Sequence, residues 1–376
     1  MAVSYIRAIL PSSTDRLIPL DCLRAIAALL VVWQHSSEVF YGYLSDRIGY
    51  GAFLAEFAHV IDFGRIGVVL FFCISGYVIP SSLVDGRAHA LKIFAISRFF
   101  RLFPTYWVAV VFGYLGTYYL WKKTFSISDW FANVVMLSNM LDTQPAMGLF
   151  WTLQIELVFY FFCGFLFATK LLHREHTKGL LALGLSFLFL LSLSKSIPLL
   201  FKFPDIFVGS QYWAAWLSMM FFGASLRQNS VKFSLPNQFF VKLYLLGWLV
   251  FLPLVGLISW IRSDYFLHSD LIRFYTSHSL GILLFYVGLV VLPVRSSALA
   301  FLGKISYSIY LFHSAIIFFL AWIFLKNIGV QNKFNIHLGF SMGIVFIATI
   351  LFASFIYRFV ELPSINFGKK MRHVVQ

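Results

Sequence analysis

Charge is scarce in this sequence. Of 376 residues, 15 are acidic and 29 basic, so 12% are charged, about half the share of a soluble domain. So little charge cannot coat a water-facing surface, which excludes an ordinary soluble enzyme. Hydrophobic residues reach 60% instead, with a mean hydropathy of +0.84. Cysteine is scarcer still: Cys22, Cys73 and Cys163 all lie inside apolar runs. An odd number in such places argues against a disulfide framework, and no CxxC or Cys/His spacing points to a metal. Internal repeats and low-complexity tracts are missing, and no shift in composition marks a soluble second domain. Residues 1–376 read as one integral membrane domain. The first sixteen residues hold Arg7, Pro11, Asp15 and Arg16 and no continuous apolar core. They do not resemble a cleaved signal, so the first apolar run reads as a retained span.

Aromatic residues are plentiful, at 19% of the chain, and Phe dominates them with 45 of 376 residues. That suits rings that face lipid or pack between helices. A span needs about 20 mostly apolar residues. About ten such runs begin near Leu17, Gly64, Pro104, Gly148, Leu180, Gly209, Lys242, Thr276, Ile305 and His337. The expected fold is an all-α polytopic transmembrane helix bundle. When alternate connections are grouped, 18 basic residues fall with the two termini and 10 with the opposite set. Lys and Arg collect on the cytoplasmic side, which places both termini in the cytoplasm. The net charge of +14 is then a topology signal, and no nucleic-acid partner is implied. The long connection 121–147 contains ISDWFANVVMLSNML, with Trp130, Val134, Leu137 and Leu141 at helical spacing. It reads as a short amphipathic helix at the outer interface.

Ionisable residues inside spans are the candidates for chemistry. The stretch LDCLRAIAALLVVWQHSSEVF carries Asp21, Arg24, His35 and Glu38. Eleven positions separate Arg24 from His35, close to three helical turns, so both share one face and stand about 16 Å apart along the axis. Asp21 and Glu38 widen that stripe. His35 is the candidate general base, because imidazole takes and returns protons near neutral pH. Alternatively, it is a hydrogen-bonded packing residue beside an Arg24–Asp21 pair. In GRIGVVLFFCISGYVIPSSL, Ser75 and Gly76 permit either close helix contact or a local unwinding that serves a ligand. In SRFFRLFP, Arg98 and Arg101 lie one turn apart at a cytoplasmic helix start. They suit a phosphate or pyrophosphate, or serve as snorkelling anchors. Glu156, midway along GLFWTLQIELVFYFF, needs a partner if buried. His35 at similar depth is one candidate, and an arginine is the other. His313 reads as a core or interface residue. Arg358 and Glu361 read as a surface pair near the chain's end.

Together these stretches resemble the acyltransferase-3 family of membrane O-acyltransferases. LDCLRAIAALLVVWQH, GRIGVVLFFCISGYVI, RFFRLFPTYW, FWTLQIELVFY, LGKISYSIYLFH and VELP follow the family's motifs in order over nearly the whole chain. Cys22 and Ala25 stand where glycines are common, Tyr77 where Phe is usual, and Glu156 where many members carry two acids. The resemblance implies transfer of an acyl group, commonly acetyl from acetyl-CoA, onto a hydroxyl. His35 would be the essential base, with Arg24 its motif partner, and the residues leave open whether Glu38 or Glu156 is the carboxylate that serves it. Arg98 and Arg101 would contact the acyl-CoA, with Ser75 nearby. The donor is a substrate, and no tightly bound cofactor is implied. The acceptor would be a cell-envelope glycan or lipid-linked sugar, or alternatively a small molecule such as an antibiotic. The expected location is the bacterial plasma (inner) membrane. Many relatives carry an added SGNH-type hydrolase domain, and the sequence reads as the stand-alone form. A non-enzymatic transporter of a small anion or sugar also accommodates midspan charges, but it predicts inverted repeats, which are not seen.

Overall fold

The computed structural model describes residues 17–41, 61–193, 210–231, 235–254, 268–328 and 338–375. All regular structure among them is helical. In chain order the helices are α1 Leu17–Tyr41, α2 Phe63–Val78, α3 Ala90–Tyr119, α4 Ile127–Val134, α5 Trp151–Ala168, α6 Thr177–Leu193 and α7 Ser210–Val231. Then follow α8 Leu235–Leu246, α9 His268–Tyr286, α10 Ser297–Lys304, α11 Ser306–Ile328 and α12 Leu338–Val375. Each of the ten expected spans has its helix, and α4 and α10 are short additions. Six helices among the described residues have the length and hydropathy to cross a membrane, and three apolar ones are shorter. The tenth, α7, carries Ser, Gln and Asn along its length and falls outside both groups.

Sequence boundaries fail in one informative place. The third span was expected to begin at Pro104, yet α3 begins at Ala90 and contains Pro104. The charged stretch around Arg98 and Arg101 is therefore helix, and both side chains project from a rigid element.

The bundle centres on α2, which packs on α1, α7 and α9. Small residues allow this. A Cβ added at Gly67 would strike the Ala27 carbonyl on α1, and one at Gly76 would strike the Met220 backbone on α7. Close backbone approach of this kind drives association between helices in lipid. It also decides between the two readings of Ser75-Gly76. The helix runs unbroken to Val78, so Gly76 is a packing contact with no unwinding. Gly76→Ala should destabilise the protein by about 1–3 kcal/mol through overpacking, seen as a lower unfolding temperature in detergent.

Between α3 and α5, α4 is fixed by a capping box. The Ser126 hydroxyl accepts from the Asp129 backbone N–H, and the Asp129 carboxylate accepts from the Ser126 N–H. The helix ends at Val134, short of the expected Leu141, where Met136 takes a left-handed φ of 61°. Ile127, Phe131 and Val134 form its exposed face, as an interfacial helix requires. Burial opposes ionisation of Asp129, but hydrogen bonds from Ser126 and the Gln144 N–H outweigh it and hold the carboxyl below its usual 3.8. A depressed folded-state value stabilises above the unfolded one, and that contribution fades as pH falls through the folded value. Asp129→Ala should therefore cost about 1 kcal/mol at neutral pH and nothing well below pH 3.8, read from unfolding midpoints across pH.

Wide π-turns continue α3 over Leu115–Tyr119, α8 over Gly247–Phe251 and α9 over Val287–Val291, and interrupt α12 over Tyr357–Glu361. Such turns often mark functional positions. The last one bears on the site.

Candidate active site

The α1 stripe joins two different environments. At its Arg24 end lies an inner cavity of about 110 Å³, walled by α1, α2, α3, α5 and α11. Arg24, Ser75, Arg98, Arg101 and Glu156 all line it, together with Tyr160, Tyr307 and Tyr310. Five residues singled out from four stretches of sequence thus converge on one space. A wider vestibule of about 370 Å³ shares Arg24, Arg98 and Arg101 with the cavity and adds Lys304, Lys369 and Arg372.

Each arginine is held differently. Arg24 pairs with Asp21 on its own helix at 3.2 Å. Arg98 donates to the Ser82 hydroxyl at 3.0 Å and lies over the rings of Phe94 and Tyr160. Its Nε is buried without a partner. Arg101 is bound at 2.8 Å to Glu361, whose other oxygen accepts from Ser308 at 2.6 Å. This corrects the expected Arg358–Glu361 surface pair. The π-turn over Tyr357–Glu361 rotates Glu361 into the bundle, where it is fully buried, and leaves Arg358 exposed. A carboxylate stripped of water requires a cation at hydrogen-bonding range, and Arg101 supplies it.

Glu156 is likewise not where depth alone suggested. It accepts a short hydrogen bond from Tyr160, one turn along α5, inside the arginine-lined cavity. The expected Glu156–His35 contact is not made. Thr152 and Tyr310, hydrogen-bonded at 2.7 Å, complete the wall beyond Glu156.

The His35 end has its own network. His35 Nδ1 lies 3.3 Å from Glu38, which also accepts from Gln34 at 2.7 Å and pairs with Arg273 at 3.4 Å. Arg273 from α9 reaches Asp62 as well, at 3.3 Å, and Asp62 caps the start of α2. Gln34 accepts from the Phe63 N–H. Glu38 is therefore the carboxylate on His35, anchored by α1, α2 and α9 together. A carboxylate only accepts, so Nδ1 carries the hydrogen, and in the neutral ring Nε2 holds the lone pair. The His35 side chain is 45% exposed, so an incoming group can reach it. Against its ring, centroids 5.4 Å apart, lies His313 of α11.

Sequence reasoning missed the Arg101–Glu361 bond, the Arg273–Asp62 link and the contact of His313 with His35. Each joins helices far apart in the chain. A hint did exist, since buried charges and imidazoles in apolar runs need partners. The sequence could not say which partners.

Residues 18–358 match the family model described as "Acyltransferase domain". A protein named "Putative O-acetyltransferase" from Staphylococcus aureus strain COL is 28% identical over 390 residues, covering 94% of this chain and 58% of its own length. The "O-acetyltransferase OatA" of S. aureus strain NCTC 8325 is 26% identical over 93% of this chain and 57% of itself. A "Putative acetyltransferase" of Acidianus two-tailed virus is 26% identical over 66% of this chain and 72% of itself. The chain thus spans somewhat over half the length of the staphylococcal relatives. No solved structure matches it.

Proposed function

The chain belongs to the acyltransferase-3 family, and from that premise we propose that it is a membrane O-acyltransferase acting between the two ends of α1. An acyl-CoA, acetyl-CoA being the commonest, binds from the cytoplasm at the Arg24 end. A cell-envelope sugar, polysaccharide or lipid-linked glycan approaches His35 from the other side of the plasma (inner) membrane. One observation carries this reading: a single helix face links a basic cavity to a half-exposed imidazole that is hydrogen-bonded to a carboxylate.

Charge supports the donor assignment. The cavity and vestibule gather six basic side chains, opposed among the described residues by Asp21, Glu156 and Glu361. That excess suits the phosphates of a coenzyme A. Arg98, with an unpartnered buried Nε, has donor capacity left for an anion. Arg101 is partly spent on Glu361. Ser75 lines the cavity that the pantetheine arm would cross toward His35.

In the reaction, His35 Nε2 removes the acceptor hydroxyl proton as the oxygen attacks the thioester carbonyl. The C–S bond breaks, an ester remains on the acceptor, and the thiolate takes the proton back from His35 to leave as free thiol. Glu38 holds Nδ1–H and steadies the imidazolium between these steps, the task a carboxylate performs for a catalytic imidazole elsewhere. Arg24 stands three turns away from that carbonyl, so its positive charge serves the donor's phosphates in the cavity and not the oxyanion. Ester-linked acyl groups on envelope glycans should rise in cells expressing the protein and be absent without it. Unchanged esters, with no consumption of labelled acyl-CoA by membranes, would rule the reading out.

A further inference from the structure

His313 presents a buried lone pair that the fold does not use. Its Nδ1 lies 2.7 Å from the Tyr310 carbonyl oxygen. A carbonyl has no proton to give, so Nδ1 carries the hydrogen and Nε2 the lone pair. The side chain is completely buried, and Nε2 has no hydrogen-bond partner. An unmet buried acceptor costs about 1–3 kcal/mol. For packing alone, an aromatic ring without nitrogens would serve better at this position. The ring stands against His35, nearly parallel at 21°, and beside Tyr310, which walls the inner cavity. Two imidazoles from α1 and α11 are therefore stacked on each other, His35 half exposed and His313 buried.

We propose that His313 is a substrate-positioning residue whose Nε2 accepts a hydrogen bond from one hydroxyl of the acceptor while His35 deprotonates its neighbour. This rests on the acyl-transfer reading above and narrows its acceptor class. A single hydroxyl has one proton and satisfies one lone pair. A polyol with neighbouring hydroxyls, such as a sugar ring, satisfies both. Each nitrogen's lone pair lies in its ring plane, so the two hydroxyl oxygens would dock about 2.8 Å from the nitrogens along the edges of the stacked rings, whose centroids are 5.4 Å apart. His313 gives and takes no proton, so the proton balance at His35 is unchanged.

Three substitutions separate this role from a structural one. Asparagine at 313 can reproduce the Nδ1 donor to Tyr310 but not the outer acceptor. Glutamine reaches the outer position with an amide oxygen. Phenylalanine keeps the ring and neither group. Unfolding temperatures in detergent and glycan-linked acyl esters in cells are measured for His313→Asn, His313→Gln, His313→Phe and His35→Ala. The Phe and Asn variants should fold as the wild type does and lose transfer by about tenfold or more, the equivalent of one buried hydrogen bond. The Gln variant should keep more transfer than the Asn variant. Wild-type transfer by the Asn or Phe variant overturns the proposal. So does transfer that simply follows unfolding temperature, or folding, across all three. If His35→Ala is silent while the His313 variants are active, only the positioning role fails. If His35→Ala transfers normally, the acyl-transfer reading itself fails.

Discussion

Substituting His35 by alanine should reduce acyl transfer by about 10²–10⁴-fold, the usual worth of a positioned general base, with little change in folding. The side chain is half open, and it hydrogen-bonds to Glu38 on the same helix. Removing it therefore leaves no buried cation unpaired, and the packing lost is the ring contact with His313. Glu38 keeps its contacts to Gln34 and Arg273, so the α1–α2–α9 network stays closed. Membranes containing the variant should bind acyl-CoA as the wild type does, because the basic cavity lies three turns away along α1. Loss of ester formation with donor binding intact is the expected pattern. Loss of both would point to a folding defect, which an unfolding measurement would reveal.

The second large effect is on stability. Arg101→Ala strips the only charged partner found for Glu361 among the described residues and leaves a fully buried carboxylate with Ser308 alone. Breaking a buried pair from one side costs about 3–5 kcal/mol, enough to unfold many proteins at physiological temperature. Donor binding would also fall, because Arg101 lines the cavity. The two effects are separable. Replacing both partners with apolar residues of similar volume, as in Arg101→Met with Glu361→Met, is often neutral or stabilising. That double variant should recover the unfolding temperature and still bind acyl-CoA poorly. Recovery of tight binding along with stability would assign Arg101 to the fold alone.

Much of the architecture was legible from residue patterns. Ten apolar runs became ten helices, because in lipid the backbone must bond within its own segment and hydrophobic length then suffices to find a span. The three-turn interval between Arg24 and His35 fixed a shared face, since helical geometry is local. Boundaries were less secure. Charged residues around Arg98 obscured the first turns of α3, and a Pro inside a helix was taken for its start. The convergence of Arg24, Ser75, Arg98, Arg101 and Glu156 had no signature in any single stretch.

The sequence by itself determined the membrane class, the helical fold, the polar face of α1 and the family. The first three follow from composition and from periodicity within one helix, and the family from motifs that resemble it in order along the chain. Only the tertiary structure decided the pairings. Glu38 serves His35, while Glu156 turns to Tyr160 and Glu361 to Arg101. The reason is physical. Depth along each helix can be counted from residues, but helix rotation is set by packing. Close glycine contacts such as Gly76 on Met220, and a π-turn such as Tyr357–Glu361, set which side chains meet. The meeting of His313 with His35 is of this kind, written in neither helix alone.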